Sequence, residues 1–443
     1  MSHDARDRDS RRRFLRYLAA SPLFAAAGLA PGSLARLLEV RADEVTGDRG
    51  PAFGADGVLR EMEQLQQNTL IQTPEQALNV LDFEPVARVR LPAAHFGYMA
   101  SGVDDDATLR ANRQGFTRFQ LRPRRLVDVR QVDPSVTIFG ERWDTPIVVC
   151  PCGSQRAFHK DGEIATARAA RAKNHLQILS GVTTTSVEDV NAARGRPVWY
   201  QLYPTDDEHV AQAIAQRAAR AGCPALILTV DLNGGRNLES QIRAARADRR
   251  ICADCHGAGF AAGVKRKPMF DGLDISRVVE YGDPSMTWDY VKRMRDAVPG
   301  MKLILKGIVT REDAALAATH GVDAIVVSNH GGRAEDSLRS TIESLPEVLH
   351  GVAGAMPVLV DSGFRRGTDI IKAMALGATS VGIGRPYLWG LAAFGQPGVE
   401  MVLTILRRET ELAMRQMGAT SFAKLSRDQV VELGTALPPG GER

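Results

Sequence analysis

The chain lacks a strong charge of either sign, an apolar run long enough to span a bilayer, and more than a handful of cysteines. Fifty-six Lys and Arg against 52 Asp and Glu leave a net charge of +4 over 443 residues. That excess is too mild to argue for nucleic acid, and several of the positive charges sit in the first sixteen residues. The apolar stretch near the N-terminus, Tyr17 to Ala30, is too short and too weakly apolar for a permanent membrane helix. Five cysteines are too few to staple a chain of this size. What remains is an ordinary globular balance, 44% hydrophobic and 24% charged, with ample length to bury a core.

The N-terminus carries an address. Ser10-Arg11-Arg12-Arg13-Phe14-Leu15-Arg16 resembles a twin-arginine export signal, a polar basic stretch followed by Phe-Leu and an alanine-rich run. Residues 1–45 are therefore expected to be signal and linker, cleaved in part, although Pro31 after Ala30 is a poor neighbour for a signal peptidase. The expected location is the periplasm or another exported site. The alternative is a basic amphipathic start to a cytoplasmic protein.

Beyond Phe53 come two helical-looking segments, Leu59–Leu70 and Pro74–Asp82, and then the chain alternates. Apolar, mostly β-branched or leucine-rich runs at 146–150, 176–179, 198–203, 225–231, 302–306, 324–328, 357–361 and 380–384 read as buried strands. Alanine-rich amphipathic stretches separate most of them, for example 162–173, 209–221, 311–320 and 368–376. Eight strand-helix units predict an α/β protein, a (β/α)8 TIM barrel with N-terminal helices, over residues 56–430. A doubly wound sheet is the runner-up. About seventy residues separate Asp231 from Lys302 where one helix would suffice. Residues 233–290 are accordingly read as a lid or insertion after strand four.

Chemistry gathers where these strands end. Strand four ends in Thr229-Val230-Asp231, strand five in Lys306-Gly307, and strand six runs into Ser328-Asn329-His330-Gly331-Gly332-Arg333. His330 is a proton acceptor and Arg333 a permanent cation at the carboxyl edge of a parallel barrel, where such folds keep their active sites. Asp361 to Gly367 and Gly384-Arg385-Pro386 are glycine-opened, arginine-bearing loops after strands seven and eight. That is the usual phosphate position, where backbone N–H groups approach the anion and arginine adds a bidentate contact.

With these loops placed, the chain resembles the FMN-dependent α-hydroxy-acid oxidase and dehydrogenase family, which includes glycolate oxidase, lactate oxidase, lactate monooxygenase and mandelate dehydrogenase. The resemblance runs from about Leu91 to about Ser421 and also takes in Tyr98-Met99-Ala100-Ser101-Gly102 and Gln201-Leu202-Tyr203. It implies FMN as cofactor and oxidation of an L-2-hydroxy acid to a 2-keto acid. His330 would be the base, Asp231 would hold its other nitrogen, and Arg333 would clamp the substrate carboxylate. Tyr98 and Tyr203 would hydrogen-bond the carboxylate and hydroxyl, and Lys306 would favour the anionic reduced flavin. Ser180, Gln201, Thr229 and the backbone of Pro151, Cys152 and Gly153 would surround the ring. Ser328 and Asp361 would meet the ribityl chain, and Gly363, Arg365, Gly384 and Arg385 would hold the phosphate. Relatives are often tetramers, so a homo-oligomer is expected.

The sequence departs from the family in three places. Relatives carry a second carboxylate-binding arginine after the Thr-Val-Asp, but an ungapped count puts Leu238 there, with Arg236 two residues early. Either Arg236 bends in through Gly234-Gly235, or Arg333 and the tyrosines hold the acid alone. Ser362 stands where a glycine is common, which reads as a small change. The insertion contains Cys252-Ala253-Asp254-Cys255-His256, the attachment signature of c-type haem, with Met269 as a candidate second ligand. The bland alternatives are a disulfide, a metal site with His256, or two inert thiols. Cys150 and Cys152 lie too close to the expected flavin to suggest a disulfide.

The leading expectation is an exported dehydrogenase of the lactate or mandelate type that passes electrons to a quinone or cytochrome. An oxygen-using oxidase, a lactate 2-monooxygenase, and a flavin/haem electron-transfer protein are the alternatives.

Overall fold

Eight short aliphatic runs close into a barrel of parallel strands. They are β1 (Ile147–Val149), β2 (Leu176–Ser180), β3 (Trp199–Leu202), β4 (Ala225–Thr229), β5 (Lys302–Ile308), β6 (Ala324–Val327), β7 (Val358–Val360) and β8 (Ser380–Ile383). Each pairs in parallel with its sequence neighbours, and β8 returns to β1 to complete the ring. The computed structural model describes residues 70–249 and 260–434. The export signal, almost all of the segment 59–70, and Cys252, Cys255 and His256 lie outside the described residues.

Strand periodicity explains the two apolar layers. Side chains alternate across a strand, so Val148, Ile178, Ile227, Ile304, Val326 and Leu359 fill the barrel interior. Ile147, Val149, Leu179, Leu226, Leu303 and Val360 face outward and meet the helices. Three N-terminal helices, α1 (Phe83–Arg90), α2 (Ala93–Ala100) and α3 (Ala107–Gln114), precede the barrel. Around it run α4 (Gly162–Ala172), α5 (Val187–Arg194) and α6 (Glu208–Arg220), then an extra helix α7 (Glu239–Ala247), then α8 (Trp288–Ala297), α9 (Arg311–Thr319), α10 (Thr341–Val352) and α11 (Gly367–Leu376). A helical run from Arg385 to Met417, broken at Gly395, completes the ring. The segment 74–82, expected as one helix, is instead two short 3-10 turns. Pro74 can only start a turn, and the Asn79 side chain accepts the Leu81 N–H at 2.8 Å and starts another.

The described parts of the insertion lie against the barrel. Helix α7 packs on α2, so tightly that a Cβ at Gly97 would stand 2.3 Å from that of Ala244. Lys267 reaches back to the Val182 carbonyl at 2.8 Å. Met269, a candidate haem ligand from sequence, is a core residue with 1% of its surface exposed. Its thioether belongs to the apolar layer with Val264 and Phe270.

Candidate active site

His330 stands at the first turn after β6, in left-handed backbone that side chains rarely adopt. Its φ is 58°, and Gly331 and Gly332 follow at 71° and 75°. Three such residues in a row fold the chain back on itself, which costs a non-glycine residue on the order of 1–3 kcal/mol. Reciprocal side-chain amide bonds between Asn112 and Asn329, at 2.8 and 2.9 Å, hold the turn. The Asn329 side-chain oxygen also accepts the Gly332 N–H at 3.0 Å.

Across the barrel mouth, Asp231 follows β4. Its Oδ1 lies 2.8 Å from His330 Nδ1. A carboxylate only accepts, so Nδ1 carries the proton and the lone pair is left on Nε2. The Tyr203 hydroxyl, 3.1 Å away, donates to that lone pair. Burial pulls the imidazole pKa down, Asp231 pulls it up, and the result lies below the ordinary value. At neutral pH the ring is therefore a neutral acceptor, the form a general base requires.

Lys306 balances this pair from below. Its ammonium donates to Ser328 Oγ at 2.8 Å and sits 3.6 Å from Asp361 and 3.8 Å from Asp231. Burial works against its charge, but Asp361 and then Asp231 outweigh burial and raise its pKa. Asp231 is also desolvated, yet His330 and Lys306 hold its carboxyl below the usual range. Its second oxygen has no hydrogen-bond partner, so its link to Lys306 is electrostatic alone.

The arginines behave differently. Arg333 donates to the carbonyls of Tyr98 and Ser101 at 2.8 Å each and to Gln241 Oε1 at 3.1 Å, and it lies 5.0 Å over the Tyr98 ring. Arg365 donates to the Phe364 carbonyl at 2.8 Å, and Arg385 to the carbonyls of Met99, Gly331 and Ser101 at 2.9 Å each. Among the described residues no carboxylate pairs with any of the three. Burial, then the neighbouring guanidiniums of Arg113 and Arg385, bring Arg365 down to about 9. Burial, then Arg333, brings Arg385 down to about 10. Both stay charged at neutral pH, as crowded cations kept for an anion that the protein does not itself supply.

These groups line one cleft of about 760 Å³ including its mouth, a size that suits a cofactor with its substrate. Tyr98, Tyr203, His330 and Arg333 line one part of it. Gly363, Arg365, Gly384 and Arg385 also line it, as do Lys306, Asp361 and Pro151–Gly153. Ser180, Gln201 and Thr229 are buried, and do not line the cleft. Ser180 donates to Gln201 Oε1 at 3.1 Å, and Gln201 donates to Thr229 at 2.8 Å. Cys150 and Cys152 are free thiols whose pKa values burial pushes up, so neither is a ready thiolate. Arg236 is exposed on the open Gly234-Gly235 loop and does not line the cleft. Its charge nevertheless reaches the site: it opposes the burial that raises the Tyr203 phenol, and it adds a lesser downward pull to Asp231, His330 and Arg333 behind burial and nearer groups.

Four contributors were not expected. Ser362, at φ 77°, accepts the Gly331 N–H at 3.0 Å and donates to Asp361 at 2.8 Å. It ties the loops after β6 and β7 together, so its replacement of a glycine is not a small change. Gln241 steadies Arg333 from the insertion, and Ser101 supplies carbonyls to both Arg333 and Arg385. Arg113 bonds Asp369 at 2.8 Å behind the phosphate loop. Ser101 and Ser362 lay in stretches already marked in the sequence, whereas Gln241 and Arg113 did not.

Comparison with known proteins agrees with this geometry. The family described as FMN-dependent dehydrogenase matches residues 87–432. Glycolate oxidase 1 of Oryza sativa subsp. indica is 39% identical over 354 residues, covering 80% of this chain and 95% of the relative. Glycolate oxidase 3 of Arabidopsis thaliana is 39% identical over 352 residues, with the same coverage of 80% and 95%. A crystal structure of mandelate oxidase superimposes with a TM-score of 0.70 at 37% identity, over 80% of this chain and 98% of that one. A mutant of an active chimera of (S)-mandelate dehydrogenase gives a TM-score of 0.71 at 32% identity, over 80% and 99%. The residues present fit FMN. The paired guanidiniums without a carboxylate partner suit its phosphate, and Lys306 with the Pro151–Gly153 wall suits its ring.

Proposed function

The chain belongs to the FMN-dependent α-hydroxy-acid oxidase and dehydrogenase family, and from that premise we propose that it oxidises an L-2-hydroxy acid of the lactate or mandelate type to the 2-keto acid. The observation that carries this reading is the alignment of Asp231, His330 and Tyr203, at 2.8 and 3.1 Å, beside Arg333. Bound FMN supplies the sink for two electrons and one of the two hydrogens lost from C2 and its hydroxyl. The other leaves as a proton, and His330 Nε2 takes it. Asp231 then stabilises the imidazolium, as in other His–Asp pairs. Tyr203 shares Nε2 and so directs the substrate hydroxyl towards it. Arg333, held by neutral partners only, keeps its charge for the substrate carboxylate. Lys306 offsets Asp231 and Asp361, so the cluster admits the extra proton without stranding a charge. Anaerobic mixing of the holoenzyme with 2-hydroxy acids tests this, because a substrate bleaches the flavin.

The electron acceptor is proposed to be a quinone or a cytochrome, which suits an exported enzyme. The names of the glycolate and mandelate oxidase relatives favour the oxygen-using alternative. Stopped-flow reoxidation by air decides between them, since fast reoxidation argues for the oxidase. Export is proposed from the Ser10–Arg16 stretch, and Lys replacement of Arg12 and Arg13 should retain the protein in the cytoplasm. Haem c at Cys252, Cys255 and His256 finds no support in the matched family, whose described cofactor is FMN. A flavin-only absorption spectrum of the purified protein would close that question. The tetramer expected from the resemblance is checked by light scattering.

A further inference from the structure

Tyr281 belongs to the insertion, yet it is fixed as firmly as a strand residue. It forms an antiparallel bridge with Thr205, and the next N–H, from Gly282, donates to the Pro204 carbonyl at 2.5 Å. Asp206 accepts the Val279 N–H at 3.0 Å. Gly282 has a φ of 110°, and a Cβ there would meet the Leu232 carbonyl at 2.8 Å, so the turn depends on glycine. Tyr281 is thereby clamped to the loops that follow Tyr203 and Asp231.

Its ring sits 6.2 Å from Tyr203, edge to face, and 4.8 Å from Phe260. Phe270 completes the group, 6.1 Å from Tyr281 and 5.6 Å from Phe260. Burial raises the Tyr281 phenol, and the Tyr98 phenol raises it further. Its hydroxyl bonds no described residue. A second departure points the same way. Leu238 occupies the place of the second carboxylate-binding arginine, three residues before Gln241, whose side chain reaches Arg333. The insertion therefore brings aromatic rings beside Tyr203, while an ungapped count leaves no arginine at the second carboxylate position.

We propose that the substrate carries a ring-sized apolar group on C2, received by Tyr203, Tyr281 and Phe260, with Tyr281 as the specificity-determining residue. This rests on the 2-hydroxy-acid function proposed above. Aromatic edges pack against an apolar ring, whereas a methyl group leaves that surface wet and a second carboxylate would be desolvated against it.

Anaerobic stopped-flow reduction of the holoenzyme flavin by glycolate, lactate, 2-hydroxysuccinate, mandelate and 3-phenyllactate tests it. The phenyl-bearing acids should exceed lactate in second-order reduction rate by about tenfold or more, the scale at which pockets discriminate apolar groups. Tyr281→Ala should cut that ratio by about tenfold with the bound-flavin spectrum unchanged, and Phe260→Ala should lower it independently. Tyr281→Phe, which keeps the ring, should preserve it. A preference for lactate, glycolate or 2-hydroxysuccinate overturns the inference. So does a Tyr281→Ala variant that slows all acids equally. Failure of every acid to bleach the flavin contradicts the 2-hydroxy-acid function itself, and the inference falls with it.

Discussion

The two ends of the cleft handle charge in opposite ways. At the His330 end the buried lysine and carboxylates offset one another, with Lys306 at 3.6 and 3.8 Å from Asp361 and Asp231, and Asp231 on the imidazole. At the Arg365 end two guanidiniums crowd together and, among the described residues, hydrogen-bond only carbonyl oxygens. The first arrangement keeps the local charge balanced while a proton moves. The second leaves positive charge for an anion that arrives with the cofactor. Arg333 lies at the chemistry end but bonds like the phosphate end: among the described residues its hydrogen-bond partners are carbonyls, the Ser101 hydroxyl and the Gln241 amide, with no carboxylate. Under the proposed function that charge is left for the substrate carboxylate.

The largest effect should come from the balanced end. His330→Gln removes the acceptor and should slow flavin reduction by substrate about 10²- to 10⁴-fold, with the bound-flavin spectrum intact. Arg333→Lys tests whether reserved charge alone suffices. Lysine keeps the charge but loses the fork that bonds Tyr98, Ser101 and Gln241. A loss of about 10²-fold in kcat/KM is expected, of the size of a lost charged hydrogen-bond set. Near-normal activity in steady-state assays would remove Arg333 from its role.

Arg365→Leu separates the two ends most cleanly. FMN should bind about 10- to 100-fold more weakly in a fluorescence titration, from loss of a charge-assisted contact. The flavin-free variant should melt no lower than the flavin-free wild type, because an unpaired buried charge costs stability. A large drop in Tm without flavin would show that Arg365 is structural.

The smallest effect is in the pH profile. The base works when neutral, and it is neutral above its pKa. kcat/KM should therefore rise with pH through a midpoint below 6.5 and level off above it, since burial holds the His330 pKa down. Asp231 opposes that shift, so Asp231→Asn should move the midpoint lower still while reducing the plateau.

The barrel was legible because each strand is a compact apolar run between turn residues, and local periodicity decides such elements. The segment 74–82 was misjudged because side-chain caps at Asn79 broke a pattern that looks helical on composition. Much of the site was also legible, because its residues fall at strand ends and a parallel barrel brings all strand ends to one rim. Contacts between loops were not. Gln241 meets Arg333 across 92 positions, and Ser362 meets the backbone of Gly331 across 31, so no local signal reveals either. Tyr281 was hidden for the same reason. Its pairing with Thr205 and the bonds of Val279 and Gly282 to Asp206 and Pro204 bring that part of the insertion to Tyr203.

The central claim is that His330 takes the proton of a 2-hydroxy acid whose electrons go to FMN. Anaerobic titration of the holoenzyme with the L- and D-forms of a phenyl-bearing 2-hydroxy acid tests it most directly. The account predicts full bleaching of the flavin by the L-form, with the keto acid formed in equal amount, and none by the D-form on that timescale. A flavin that stays oxidised with every 2-hydroxy acid tried, or that bleaches equally fast in His330→Gln, would contradict it.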